Sequence, residues 1–132
     1  MAMRETKQLI GVPKRVVELV HHPISKMERE IGPLFKFMDR EMIPESDVTV
    51  LVRQVERVVS KESNLGASTH DHDRDELYCL LDDVEMEITL GTDTYLVKAP
   101  SSVLVPAGMK HATRYAGGKG YMVTILSGES YR

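Results

Sequence analysis

Val84-Glu-Met86-Glu-Ile88-Thr-Leu90-Gly91 alternates apolar and polar residues and stops at a glycine. Successive side chains of an extended chain point to opposite faces, so this alternation predicts a strand with one face in a core and the other toward water. The same period of two runs through Val48, Val50 and Val52, starting after Asp47. Turn signals punctuate the sequence from there on, at Asn64-Leu-Gly66, Asp82-Asp83, Gly91-Thr-Asp93, Pro106-Ala-Gly108 and Gly117-Gly-Lys-Gly120. Roughly seven or eight short strands with no helices between them predict an antiparallel sandwich or barrel and argue against a βαβ fold.

The segment before this pattern reads differently. Ser25-Lys-Met-Glu28 fits a capping box, Ile24, Met27 and Ile31 fall at helical spacing, and Gly32-Pro33 is a stop signal. A second short helix is expected where Leu34, Phe35, Met38 and Met42 recur before Pro44, while Val16 to Val20 fits a strand or a helix equally. The expected organisation is an N-terminal extension with short helices over residues 1–46, packed on a β-barrel over residues 47–132.

Bulk properties bound the function. A chain of 132 residues with 42% hydrophobic and 28% charged content is one globular domain with room for a core. Twenty acidic and 17 basic residues, net −3, give no electrostatic case for nucleic acid or an anionic membrane. With no signal-peptide pattern and no long apolar run, the expected compartment is the cytoplasm. The single cysteine, Cys79, reads as a small buried hydrophobe in a strand.

The chemistry is carried by His70-Asp-His72-Asp-Arg-Asp-Glu76. In an extended chain His70, His72 and Glu76 share one parity, so two imidazoles and a carboxylate converge, a donor set suited to a divalent transition metal. Asp71, Asp73 and Asp75 have the opposite parity and are expected to point away, with Arg74 in a solvated salt-bridge cluster. His111 follows the Pro106–Lys110 turn, which can swing a later strand alongside the first and supply a fourth ligand. Tyr78 shares the parity of Glu76, which makes its phenol a candidate general acid or base in the same cavity. His21-His22 lack a carboxylate at comparable spacing and read as surface.

The order His-x-His-(x)3-Glu, then some thirty residues, then Pro-x-Gly-(x)2-His resembles the paired motifs of the cupin superfamily. Here it is carried by His70, His72, Glu76, Pro106, Gly108 and His111. The likeness extends over about residues 47 to 128, with Asn64, Asp83, Pro100 and Tyr115 standing where cupin motifs usually have other residues. It implies a double-stranded β-helix, or jelly-roll, barrel with three histidines and one glutamate around an internal metal.

Four ligands on a six-coordinate ion leave two neighbouring positions for exchangeable groups. The resemblance therefore implies a metal-dependent enzyme acting on a small organic substrate. Dioxygenase-like chemistry stands ahead of lyase, isomerase or decarboxylase chemistry, because the ligand set is similar to that of cupin dioxygenases. The alternative is a non-catalytic small-molecule binder in which the metal holds the ligand or the fold. The ligand set suits iron, manganese, nickel, zinc or copper alike. Met86, Met109 and Met122 are read as barrel filler, and Tyr95, Tyr115 and Tyr121 as wall or core. A homodimer is expected, since open jelly-roll sheets have edges that are commonly covered.

Overall fold

A computed structural model describes residues 6–17, 24–60 and 71–127. The elements are a 3-10 turn at Thr6–Leu9, β1 (Lys14–Arg15), α1 (Ile24–Glu30), β2 (Leu34–Met38), β3 (Val48–Val55), β4 (Glu76–Asp82), β5 (Glu85–Leu90), β6 (Asp93–Lys98), β7 (Ser101–Val105), β8 (His111–Gly117) and β9 (Gly120–Ser127). They form a six-stranded sheet in the order β1-β2-β3-β9-β4-β7 and a three-stranded sheet in the order β6-β5-β8. All pairings are antiparallel, and the chain passes between the sheets in the manner of a jelly roll.

Strand β5 confirms the alternation that predicts it. Met86 and Ile88 are fully buried, Leu90 packs against the same core, and Glu85, Glu87 and Thr89 face outward. The predicted turns separate the strands as expected. Gly108 has φ 82° and Gly118 φ 78°, the left-handed region open to glycine at little cost. At Gly118 a side chain would also collide with the backbone carbonyl of Asp83.

Two expectations for the first half are corrected. The second helix is absent: Leu34–Met38 is strand β2, paired with β3 through Leu34↔Arg53 and Phe35↔Val52. The helix ends at Glu30, just before Gly32-Pro33, and β3 offers a row of backbone donors and acceptors that the following run satisfies better as a strand than as an isolated helical turn. The N-terminal segment thus contributes one α-helix, one 3-10 turn and two strands among the described residues. The second correction is the parity of β3. Its buried residues are Thr49, Leu51, Arg53 and Val55, while Val50 and Val52 are half-buried on the outer face. That outer face is itself apolar, with Phe35 beside Val52, Val52 beside Val123 and Val50 beside Ile125, so the valine spacing does not mark the inside.

Helix α1 lies where the spacing predicts it, with Ile24 and Met27 buried and Ile31 buried just past its end. It begins at Ile24, so Ser25 lies within the helix and does not cap it. Met27 and Ile31 join Val55, Tyr78, Leu80, Val84, Met86, Ile88, Val105, Tyr115 and Met122 in the main core. Each fully buried aliphatic side chain there contributes about 1.5–3 kcal/mol relative to exposure. Tyr121, expected as wall or core, instead faces outward at 41% exposure, and Cys79 is half-buried on the same outer face. Glu18 to Val20, His21-His22, Asn64-Leu-Gly66 and His70 lie outside the described residues.

Candidate metal centre

Strand β4 opens the site. Glu76 is its first residue, 2% exposed, and Tyr78 and Leu80 follow it on the inner face, as the period of two requires. His72 sits in the connection before β4, buried at 5% exposure, and its carbonyl accepts a hydrogen bond from the Gly108 amide at 2.7 Å. This bond brings the Pro106–Lys110 turn against the first motif and places His111, the first residue of β8, opposite Glu76. The Asp75 carboxylate reinforces the contact by accepting a 2.9 Å hydrogen bond from the Ala107 amide. Asp71, Asp73 and Asp75 are all exposed, as their parity predicts, and Arg74 lies by Asp73 at 3.7 Å.

His111 is 1% exposed, and its Nε2 is 3.0 Å from Glu76 Oε1. Its Nδ1–H donates to the Met109 carbonyl at 3.0 Å, which fixes the ring and turns Nε2 into the site. His72 Nε2 is 3.8 Å from Glu76 Oε2, and the two imidazole centroids are 5.2 Å apart. Tyr78 enters the same cavity as expected, and its hydroxyl donates to Glu76 Oε1 at 2.7 Å.

The electrostatics follow from this packing. Burial works to raise the Glu76 pKa, but hydrogen bonds from His111 and Tyr78 and the charge of both imidazoles outweigh it and hold the carboxyl below its ordinary value. For His111, burial works to lower the pKa. The Glu76 hydrogen bond, the Met109 carbonyl and the charges of Glu76 and Asp71 outweigh it and raise the imidazole above its ordinary value. The carboxylate thus stays charged and the imidazole holds its proton more tightly than usual.

The donor set fits a divalent ion. One donor atom each from His72, Glu76 and His111 lies within 4.8 Å of the others, and all three residues are buried. Ligands ~2.1 Å from a common centre stand ~3 to ~4 Å apart, so a small contraction would bring these atoms into coordination range. Nitrogen and carboxylate donors suit first-row transition metals. His70, the remaining expected ligand, lies outside the described residues.

Sequence reasoning missed two features. The Met109 carbonyl that orients His111 has no side-chain signature. Arg53, 5% exposed, projects from β3 into the interior, where it donates to the Gly32 carbonyl at 2.9 Å and hydrogen-bonds Tyr115. Its alternation with Leu51 and Val55 was the available signal, hidden by the stronger valine pattern.

No protein-family model and no curated protein sequence matches the chain. Solved structures do. KdgF from Halomonas sp. superposes with a TM-score of 0.57 at 11% identity, over 74% of this chain and 81% of its own. An RmlC-like cupin from Shewanella frigidimarina gives 0.52 at 13% identity, over 72% of this chain and 76% of its own. Bacillus subtilis oxalate decarboxylase, studied for its Mn(II) centres, gives 0.61 at 9% identity, over 91% of this chain and 28% of its own. At these identities the likeness establishes the fold, and the fold is that of the cupins.

Proposed function

We propose that this cupin-fold chain is a metal-dependent enzyme that acts on a small organic substrate at one divalent transition metal held by His70, His72, Glu76 and His111. The observation that carries the reading is the buried convergence of His72, Glu76 and His111 donor atoms within 4.8 Å. Two imidazoles and a carboxylate are costly to bury, and a metal is the partner that offsets that cost most directly. When bound, the metal would act as a Lewis acid toward a carbonyl or carboxylate, or, as iron, support oxygen chemistry.

The protein's own groups have separable tasks. The Met109 carbonyl holds His111 in the tautomer that presents Nε2. Glu76 supplies the negative charge that lowers the net charge of a bound cation. Tyr78 keeps a proton at its Oη, 2.7 Å from Glu76 Oε1, which makes it a positioning residue for that carboxylate. Oxygenase-type chemistry ranks ahead of lyase, isomerase or decarboxylase chemistry, on the likeness of the four-ligand set to that of cupin dioxygenases.

The test is elemental analysis of the purified full chain, followed by titration of metal-free protein with iron, manganese, nickel, zinc and copper. One tightly held equivalent, lost in His111→Ala, is the expected outcome. Absence of any bound or bindable transition metal refutes the reading. Oxygen uptake by the metal-loaded protein with candidate substrates then separates oxygenase from non-oxidative chemistry.

A further inference from the structure

We infer that the gap between the free edges of the two sheets is the slot that receives a hydrocarbon portion of the substrate. The metal-dependent reaction would then take a small chelating acid or carbonyl compound with an apolar tail. This assignment rests on the proposed metal site for the substrate's polar head, but the slot itself is defined independently of any ion.

Strand β6 ends the three-stranded sheet and β7 ends the six-stranded sheet. Between them lies a cavity of ≈ 460 Å³, within the roughly 300–1,000 Å³ range of small-molecule sites. Its inner wall is mostly aliphatic, with Ile88 and Leu90 from β5, Val97 from β6 and Val103 from β7, and Ser101 shares the inward parity of Val103. Leu90, Val97 and Val103 also pack against the main core. Tyr95 shares the parity of Val97 and pairs with Ile88, yet is 53% exposed, so its ring stands at the mouth of the slot. Lys98 is the one charged lining residue, and its Nζ lies 3.6 Å from Glu85 Oε1 at the rim. The slot therefore offers mainly dispersion contacts, with the Ser101 hydroxyl as a buried polar group and Lys98 as its one charge.

The slot adjoins the candidate metal centre without including its residues. Leu90 is the direct cross-strand partner of His111, and Val103 that of Tyr78. Neighbouring strands are ~4.8 Å apart, so the slot's inner wall begins one strand away from the site on both sheets. A group coordinated beside His111 and Glu76 can thus extend an attached chain between Leu90 and Val103 toward Tyr95.

The experiment uses the full chain in two forms. With metal-loaded protein, calorimetry compares acetohydroxamate, hexanohydroxamate and octanohydroxamate, which share one chelating head. Affinity is expected to rise about fourfold per added methylene while the tail stays within the slot, the equivalent of ~0.8 kcal/mol per buried CH₂. Val97→Trp, which fills the slot, should abolish that rise. Tyr95→Arg, at the exposed mouth, should flatten the rise without touching the core. With metal-free protein, titration with 1-hexanol followed by amide NMR should shift Ile88, Leu90, Val97 and Val103. A flat chain-length series, a rise unaffected by both variants, or hexanol shifts centred instead on Phe37 and Tyr121 of the outer face each overturns the slot. Failure of acetohydroxamate to bind while hexanol still shifts the slot residues supports the slot and refutes the part of the proposed function in which the metal holds the substrate's polar head.

Discussion

The two ends of the barrel interior are built on opposite principles. At one end His72, Glu76 and His111 crowd together, all buried and all polar, and the Tyr78 hydroxyl donates to Glu76 from the edge of that cluster. Two inner-face positions farther along β4, Leu80 is fully buried, and Met122 beside it, with Met86 and Tyr115 of the facing sheet, forms a largely apolar end in which the buried Arg53 is held by the Gly32 carbonyl and Tyr115. The apolar end gains free energy from each aliphatic side chain it buries, while the polar end recovers its desolvation cost only through its mutual hydrogen bonds or a bound cation. Stability and function are therefore carried by different rows of the same strands, and substitutions should separate them.

The largest effect is expected at the apolar end. Leu80→Ala deletes a side chain with no exposed surface and should cost roughly 2–5 kcal/mol in denaturant unfolding. Its metal affinity, read by calorimetry below the melting transition, should stay within about threefold of the parent. A comparable loss of metal affinity would show that the two rows are coupled. Glu76→Gln should invert this pattern. Loss of the ligand charge should lower metal affinity by at least ~100-fold, more than a contact behind the ligands is worth, while unfolding of the metal-free protein changes less than in Leu80→Ala. Unaltered affinity in Glu76→Gln would remove the carboxylate from the ligand set.

Tyr78 lies between the two rows and sharpens the boundary. Tyr78→Phe keeps the ring in the core and removes only the hydroxyl that donates to Glu76 Oε1. Metal affinity is expected to fall about tenfold, with unfolding changed by about 1 kcal/mol. If turnover falls far more than affinity, the phenol is a catalytic acid or base and not a positioning residue.

How much of this was legible in the sequence depends on whether one face or two were apolar. Strand β5 carries Glu85, Glu87 and Thr89 on its outer face, so Met86 and Ile88 announce the interior without ambiguity. In β4 the parity of Glu76 and Tyr78 is legible because the apolar residues that follow Glu76 fix the strand, while His72 precedes it in a bent connection and reaches the site through the Gly108 contact instead. Strand β3 has apolar residues on both faces, and its valines mark the outer one while a buried arginine sits inside. The apolar run Leu34 to Met38 satisfies helical and strand periods equally, and the backbone pairing with β3 that decides it is a long-range contact no local pattern reports. The edge slot between β6 and β7 depends on two sheets stopping where they do, which is a property of topology alone.

The smallest expected effect is on pH dependence, and it separates the ion pair from the metal site. In the metal-free protein, His111 is raised by Glu76, so its contribution to stability is full below the ordinary histidine pKa and is lost as pH rises through the raised value. Glu76 is lowered, so its contribution is present above the ordinary carboxyl pKa and is lost as pH falls through the lowered value. The pair thus favours the metal-free fold most in mildly acidic solution, between those limits. A cation needs His111 deprotonated and competes with that same proton, so stabilisation by metal must grow as pH rises through the raised His111 pKa. Melting temperatures with bound metal and with excess chelator, from about pH 5 to about pH 9, should therefore nearly coincide at the acidic end and diverge toward the basic end. A difference that is constant with pH, or that widens toward acid, would mean that His111 is not among the groups the metal engages.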